Sequence, residues 1–288
     1  MTDESAHLDD TASTAGLFTM ISEQLGSRLG HVARPVLRTG PALVLVAHGS
    51  RDPRALATVG ELVERIREQR PGLTVRLAHI ELNEPLLSDV LAALEQGGRA
   101  VLVPLLLSRG YHVKQDLPRA AEAAPHLLTR VADPLGPHPL LVDVLHERLR
   151  EAGWPGPLSE RARRRAGVVL AASGSRDPEA AVDTRRAAAH LALRLGVPVV
   201  PAYASGSGPD VATAVRALAA RGRHQTALAS YFTAPGRFAT ESAAAFTDGP
   251  GIVAAPLGAH PALARLALHR YDSALLTPAA TGRHLASA

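Results

Sequence analysis

The 288-residue chain contains no cysteine. That excludes disulfides, thiolate zinc sites and cysteine-ligated iron–sulfur clusters, and leaves imidazoles and carboxylates as the good metal donors. Aromatic residues make up only 3% of the sequence, and its many arginines are scattered among Asp and Glu for a formal net charge of +4. No basic stripe interleaved with aromatics is present, so no nucleic-acid partner is expected, whereas a mildly positive surface favours an acidic small substrate. Long apolar runs are missing too: Gly, Pro or charge interrupts each within about ten residues, short of the roughly twenty that a membrane span requires. The start, MTDESAHLDDTASTAG, is acidic and polar with no apolar centre, unlike a secretory signal. These absences predict a soluble cytoplasmic protein with no membrane partner. Lysine is nearly absent as well, since Lys114 stands alone among the arginines.

What is present is a regular alternation of strand and helix. Ala42 to Ala47 is a continuous valine-rich run, the pattern of a strand covered on both faces in a parallel sheet. It stops at His48, Gly49 and Ser50, after which Asp52 and Pro53 supply a cap and a pre-set φ for a helix over 53–69. Further strands are predicted over 73–80, 100–107 and 128–132, with helices over 86–96, 116–123 and 138–151 between and after them. LFTMISEQLGSRLG could form a short helix ahead of Pro35 and Pro41. Alternation of this kind predicts a parallel sheet wrapped by helices, with ligands at the carboxyl ends of its strands.

The pattern then repeats. GVVLAASGSRDPEAAV stands against ALVLVAHGSRDPRALA, and the frame PLG.HP occurs at 134–139 and again at 256–261. The second half therefore reads as a duplicate of the first, a repeat of whole lobes. The expected organisation is an extension over 1–40, partly disordered, a lobe over 41–153, a linker over 154–166, a second lobe over 167–277 and a tail over 278–288. Shared features are expected to be structural. Ser50, Asp52 and Pro53 are assigned to turn and cap, and His138 and His260 to loop scaffolding. Features of one half alone are candidates for chemistry. His48 becomes Ser173, Glu81 aligns with Ser205, and His112 aligns with Phe238. Three potential donors thus stand at three successive strand ends of the first lobe and are absent from the second.

Two imidazoles and a carboxylate suit a first-row divalent metal such as Fe, Co, Ni or Zn. Without a thiolate such a set can accept an ion and pass it on, and imidazoles also exchange protons near neutral pH. Spacing alone leaves open that both histidines are loop residues satisfied by backbone carbonyls. A strand-end histidine would also suit a histidine phosphatase-like hydrolase, but the arginine that should precede it is absent, with Ala47 in its place.

VAHGSRDP after the first strand, ELNEP after the second, GYHVKQDLP after the third and PLGPHP after the fourth resemble the CbiX and SirB family of sirohydrochlorin chelatases, class II tetrapyrrole chelatases. The resemblance spans about 42–276 and leaves the first 40 residues uncovered. It implies two similar α/β lobes facing each other across a cleft, where a divalent ion, Co²⁺ or Fe²⁺ with Ni²⁺ as a further candidate, enters sirohydrochlorin without an organic cofactor. The metal is substrate, and the product serves cobalamin or siroheme synthesis. By the same resemblance His48 and His112 are the metal-binding, catalytic pair, and the acidic residue is Glu81 or the nearby Glu84. Sirohydrochlorin is a polycarboxylate, so cations are expected at the entrance, with Lys114 first and Arg109 and Arg51 after it. The chain is expected to be a monomer of two fused lobes or a homodimer. A non-catalytic tetrapyrrole or metal carrier is the alternative, because the second lobe has lost its donors.

Overall fold

The computed structural model describes residues 40–206, 208–246 and 251–277. The expected extension up to residue 39, with its helix, and the tail over 278–288 lie outside the described residues. In the first half β1 (Ala42–Ala47) leads to α1 (Pro53–Gln69), β2 (Val75–His79), α2 (Leu87–Ala92) and β3 (Arg99–Pro104). A π-helical turn at His112–Asp116 then runs into α3 (Leu117–Glu122), followed by β4 (Leu128–Val131) and α4 (Pro139–Glu151). A short helix, α5 (Glu160–Arg165), precedes the second half: β5 (Ala166–Ala172), α6 (Pro178–Leu195), β6 (Val199–Tyr203), α7 (Val211–Ala219), β7 (Gln225–Tyr231), α8 (Arg237–Ala244), β8 (Ile252–Val253) and α9 (Pro261–Leu276).

Two four-stranded parallel sheets result, in the orders β2-β1-β3-β4 and β6-β5-β7-β8. Leu43, Val44, Leu45 and Val46 are fully buried, each contributing roughly 1.5–3 kcal/mol of apolar burial. The two-residue period of a strand sends them to opposite faces. Val44 and Val46 meet Leu87, Leu91 and Leu117 of the outer helices. Leu43 and Leu45 join a continuous central core that also holds Val168 and Leu170 of the other sheet.

The two tandem lobes are present as expected, and the central core that joins them is built from α1, α4, α6 and α9. Helix α4, at the end of the first repeat, packs on β7 and α6 of the second, while α9, at the end of the second, packs on β3, β4 and α1 of the first. The last helices are thus exchanged between the sheets. Arg70 pairs with Asp272 of α9 through two bonds of 2.6 and 2.7 Å, and Arg148 of α4 donates to the Leu257 carbonyl at 3.0 Å. The expected linker is also ordered: α5 occupies part of it, and Trp154, the only tryptophan, is buried in the central core. Among the described residues no helix is long and apolar enough to cross a membrane.

Candidate active site at the paired strand ends

In a 2-1-3-4 sheet the connections leave in opposite directions from β1 and β3. A crevice therefore opens between their carboxyl ends. His48 follows β1, and His112 lies beyond the end of β3, so the strand order itself brings the two histidines together. Their ring centroids are 4.7 Å apart in an edge-to-face arrangement. Both side chains are partly open to solvent, 43% for His48 and 33% for His112.

The His48 turn is shaped by one glycine. Gly49 has φ +105°, and a Cβ there would lie 1.8 Å from the Glu81 carbonyl oxygen, so only glycine fits. The close approach allows Glu81 N–H to donate to the His48 carbonyl at 3.1 Å, and Asn83 Oδ1 accepts from Ser50 N–H at 2.7 Å. Between these two residues Leu82 is held at φ +67°, a left-handed backbone that costs a non-glycine residue energy and recurs at functional sites. Glu81 Oε1 lies 3.6 Å from His48 Nδ1, an electrostatic contact too long for a hydrogen bond. Glu81 lines the cleft, whereas Glu84 is not among its lining residues.

His112 opens the π-helical turn. Its Nδ1 lies 2.6 Å from Asp116 Oδ2, and since an ionised carboxylate only accepts, Nδ1 is the donor of this bond and Nε2 is the nitrogen left facing away from it. Among the described residues no three His, Asp or Glu side chains are gathered into a group able to hold a metal. His48, His112 and Glu81 instead meet in pairs: His48 touches each of the other two.

The assigned scaffolding residues occupy those positions. Asp52 and Asp177 cap α1 and α6 by accepting from Arg54 N–H and Glu179 N–H, each at 2.9 Å. His138 and His260 cap α4 and α9 through Nδ1. The arginine beside Asp52 holds its carboxyl below the usual range. In the second half Gly174 repeats the tight turn, its absent Cβ 1.9 Å from the Ser205 carbonyl, and Ser205 Oγ donates to the Ser173 carbonyl. Glu81 and Ser205 are therefore structural equivalents.

The two halves enclose a cleft of about 2180 Å³, well above the 300–1,000 Å³ of ordinary small-ligand pockets. Its walls include His48, Glu81 and His112 on one side and Ser173, Phe232 and Phe238 on the other. Arg51 lies on the wall and is exposed, as does its repeat counterpart Arg176, and neither makes an ion pair among the described residues. Lys114 also lines the cleft, but its Nζ is bound by Asp177 at 2.8 Å and Glu179 at 2.9 Å. Arg109 is not a lining residue and is paired with Asp183 and Glu179 of α6.

Three residues of this site carried no assignment from sequence. Asp116 was visible as a carboxylate four residues after a histidine, the spacing that shares a helix face. Asn83 had no local signal, because its partner Ser50 lies 33 residues away. His79 ends β2 and lines the cleft, only 2% exposed, with neither ring nitrogen hydrogen-bonded among the described residues. Its burial pushes the imidazole pKa down, toward the neutral form.

Fold and cleft together define a class of protein: two facing parallel α/β sheets with paired imidazoles at one switch point. The CbiX family model matches residues 42–152 and 167–274. The chain belongs to the CbiX family. It is 33% identical to the chloroplastic sirohydrochlorin ferrochelatase of Arabidopsis thaliana over 114 residues, 38% of this chain and 51% of that protein, so it spans about half of that relative's length. It is 28% identical to the sirohydrochlorin cobaltochelatase of Methanopyrus kandleri over 137 residues, 38% of this chain and 96% of that one. The fold is similar to that of SirB from Bacillus subtilis with Fe³⁺, with a TM-score of 0.66 at 22% identity over 81% of this chain and 95% of that one.

Proposed function

We propose that this protein is an enzyme, a chelatase of the lyase class that inserts Co²⁺ or Fe²⁺ into sirohydrochlorin. The observation that carries the reading is the 4.7 Å approach of the His48 and His112 rings in a cleft of about 2180 Å³, roomy enough for a flat macrocycle. Family membership and the names of the relatives, ferrochelatase and cobaltochelatase, support it.

Insertion exchanges one divalent ion for two pyrrole N–H protons. His112 offers Nε2 to the ion while Asp116 fixes the ring from behind. His48 offers the second nitrogen, and Glu81 adds negative charge beside it. As the ion moves from an imidazole to a ring nitrogen, the imidazole lone pair is released and takes a pyrrole proton. Metal and proton thus trade places at the same donor. Because the donors do not form a closed cage, the ion is held loosely enough to leave. Arg51, with Arg176 across the cleft, is assigned to the substrate's carboxylates. Lys114 and Arg109, already neutralised by acidic partners, are assigned to holding the wall.

The test follows the loss of the free-base absorption of sirohydrochlorin under anaerobic conditions with Co²⁺ or Fe²⁺. Wild-type protein should accelerate it catalytically, and His48→Ala and His112→Ala should abolish the acceleration. Undiminished turnover in the double variant refutes the assignment, and stoichiometric binding without acceleration identifies a carrier.

A further inference from the structure

The second half lacks the donors, yet it grips the segment that presents His112 at every few residues. Thr233 Oγ1 donates to the Leu105 carbonyl at 3.1 Å, and Tyr231 OH donates to the Leu107 carbonyl at 3.1 Å. Asp183 then accepts three bonds from one residue: Arg109 N–H at 2.9 Å, Nε at 3.0 Å and Nη2 at 2.7 Å. Glu179 adds an ion pair to Arg109 at 3.3 Å, and Lys114, two residues beyond His112, is bound by Asp177 and Glu179. Asp183 is completely buried. Burial alone would raise its carboxyl pKa, but the Arg109 hydrogen bonds outweigh it and hold the pKa below the usual range.

Among the described residues the reciprocal grip does not exist. Superposing the repeats by their matched GSRDP and glycine positions puts Thr58 opposite Asp183, Arg54 opposite Glu179, Pro235 opposite Arg109 and Thr240 opposite Lys114. None of these can form the equivalent pairs. The first-half loop is therefore braced by carboxylates, while the second-half loop, which ends in Phe238 in place of a donor, has no such brace among the described residues. A brace of general structural value would be expected on both sides of a pseudo-symmetric molecule, and among the described residues this one occurs on the side that carries His112.

We infer that Asp183 is a positioning residue: its three bonds to Arg109 set the connection between β3 and the π-helical turn so that the His112 imidazole faces His48. The second half has kept a part in the chemistry by holding the ligand loop of the first. A buried carboxylate suits this use, because its partner cannot drift without leaving an uncompensated charge. The planar guanidinium transmits direction as well as attraction, since both of its bonds lie in one plane.

The inference rests on His112 as a metal donor, and the experiment separates the two. Co²⁺ alone is titrated into the full chain of wild type, His112→Ala, Asp183→Asn and Arg109→Lys, following the ligand-field absorption of the ion. KM for Co²⁺ and kcat are measured alongside. Asp183→Asn preserves shape and removes charge, and Arg109→Lys preserves charge and removes the planar fork. Both should weaken Co²⁺ binding about tenfold or more, as displaced supporting groups do at metal sites. Both should also shift the saturated Co²⁺ spectrum toward that of His112→Ala. A merely structural role would lower the melting temperature and leave the spectrum of the folded fraction unchanged. If His112→Ala binds Co²⁺ as wild type does, the donor assignment fails. If His112→Ala is impaired while a folded Asp183→Asn or Arg109→Lys keeps wild-type affinity and spectrum, the positioning role is overturned. Should Asp183→Asn fail to fold, Arg109→Lys decides the matter on the same two readouts.

Discussion

His112 and Asp116 form the shortest polar contact at the cleft, 2.6 Å between Nδ1 and Oδ2 across one turn. If His112 is the donor proposed above, Asp116 is the group that orients its ring from behind. Asp116→Asn retains an acceptor for that proton but removes the charge. Co²⁺ affinity should fall by about 10–100-fold, while stability should change by no more than about 0.5 kcal/mol at this partly exposed position. A Co²⁺ titration beside a thermal melt measures both, and an unchanged affinity would mean the carboxylate only orients the ring. Among the described residues His48 has no such partner: Glu81 stands 3.6 Å from its Nδ1. The two histidines are therefore held unequally, one by a 2.6 Å contact and the other by a longer electrostatic one.

The strand-to-helix turn is the element on which the site depends, and the duplication provides it twice. Gly49 and Gly174 both hold positive φ, 105° and 81°, and both abut a carbonyl that a Cβ would meet at under 2 Å, Glu81 in one and Ser205 in the other. Gly49→Ala and Gly174→Ala should each cost more than about 1 kcal/mol, because alanine is strained there and the facing backbone must retreat. Only Gly49→Ala should also depress Co²⁺ binding, since the carbonyl it displaces belongs to Glu81. Matched melts with unmatched Co²⁺ titrations are the expected result, and equal loss of binding in both would remove the distinction between the turns. This turn was legible in GSRDP because its determinants are local: a glycine, a capping aspartate and a proline within five residues. The approach of His48, Glu81 and His112 was legible for a different reason, as differences between two copies of one pattern at neighbouring strand ends. The brace was not, because Arg109 and Asp183 are 74 residues apart and read in isolation as ordinary helix and loop charges. Lys114 and Arg109 drew attention as cations near His112, yet a sequence cannot say which of its carboxylates a cation will meet.

At the scale of the whole molecule the governing fact is the exchange of α4 and α9 between the sheets. Nothing in the repeat pattern distinguishes a helix that returns to its own sheet from one that crosses, since both bury the same apolar face. The consequence is energetic. Leu263, Leu266 and Leu268 of α9 are buried in the central core, worth together about 5–9 kcal/mol at 1.5–3 kcal/mol for each leucine. That is comparable to the entire net stability of a typical domain, about 5–15 kcal/mol. A fragment covering residues 40–153 keeps β1 to β4 with His48, Glu81 and His112 but has no α9 to cover α1 and β3. Its own α4 has meanwhile lost β7 and α6, the elements it packs on in the full chain, so its apolar face is left uncovered as well. Such a fragment should fail to melt cooperatively as a monomer and should self-associate, because the uncovered face is a ready seat for α4 of another copy, the repeat counterpart of α9. Light scattering after size-exclusion chromatography, with a far-ultraviolet thermal melt, measures this directly. A monodisperse monomer with a cooperative transition would show that the first sheet closes its own core and that the exchange is dispensable.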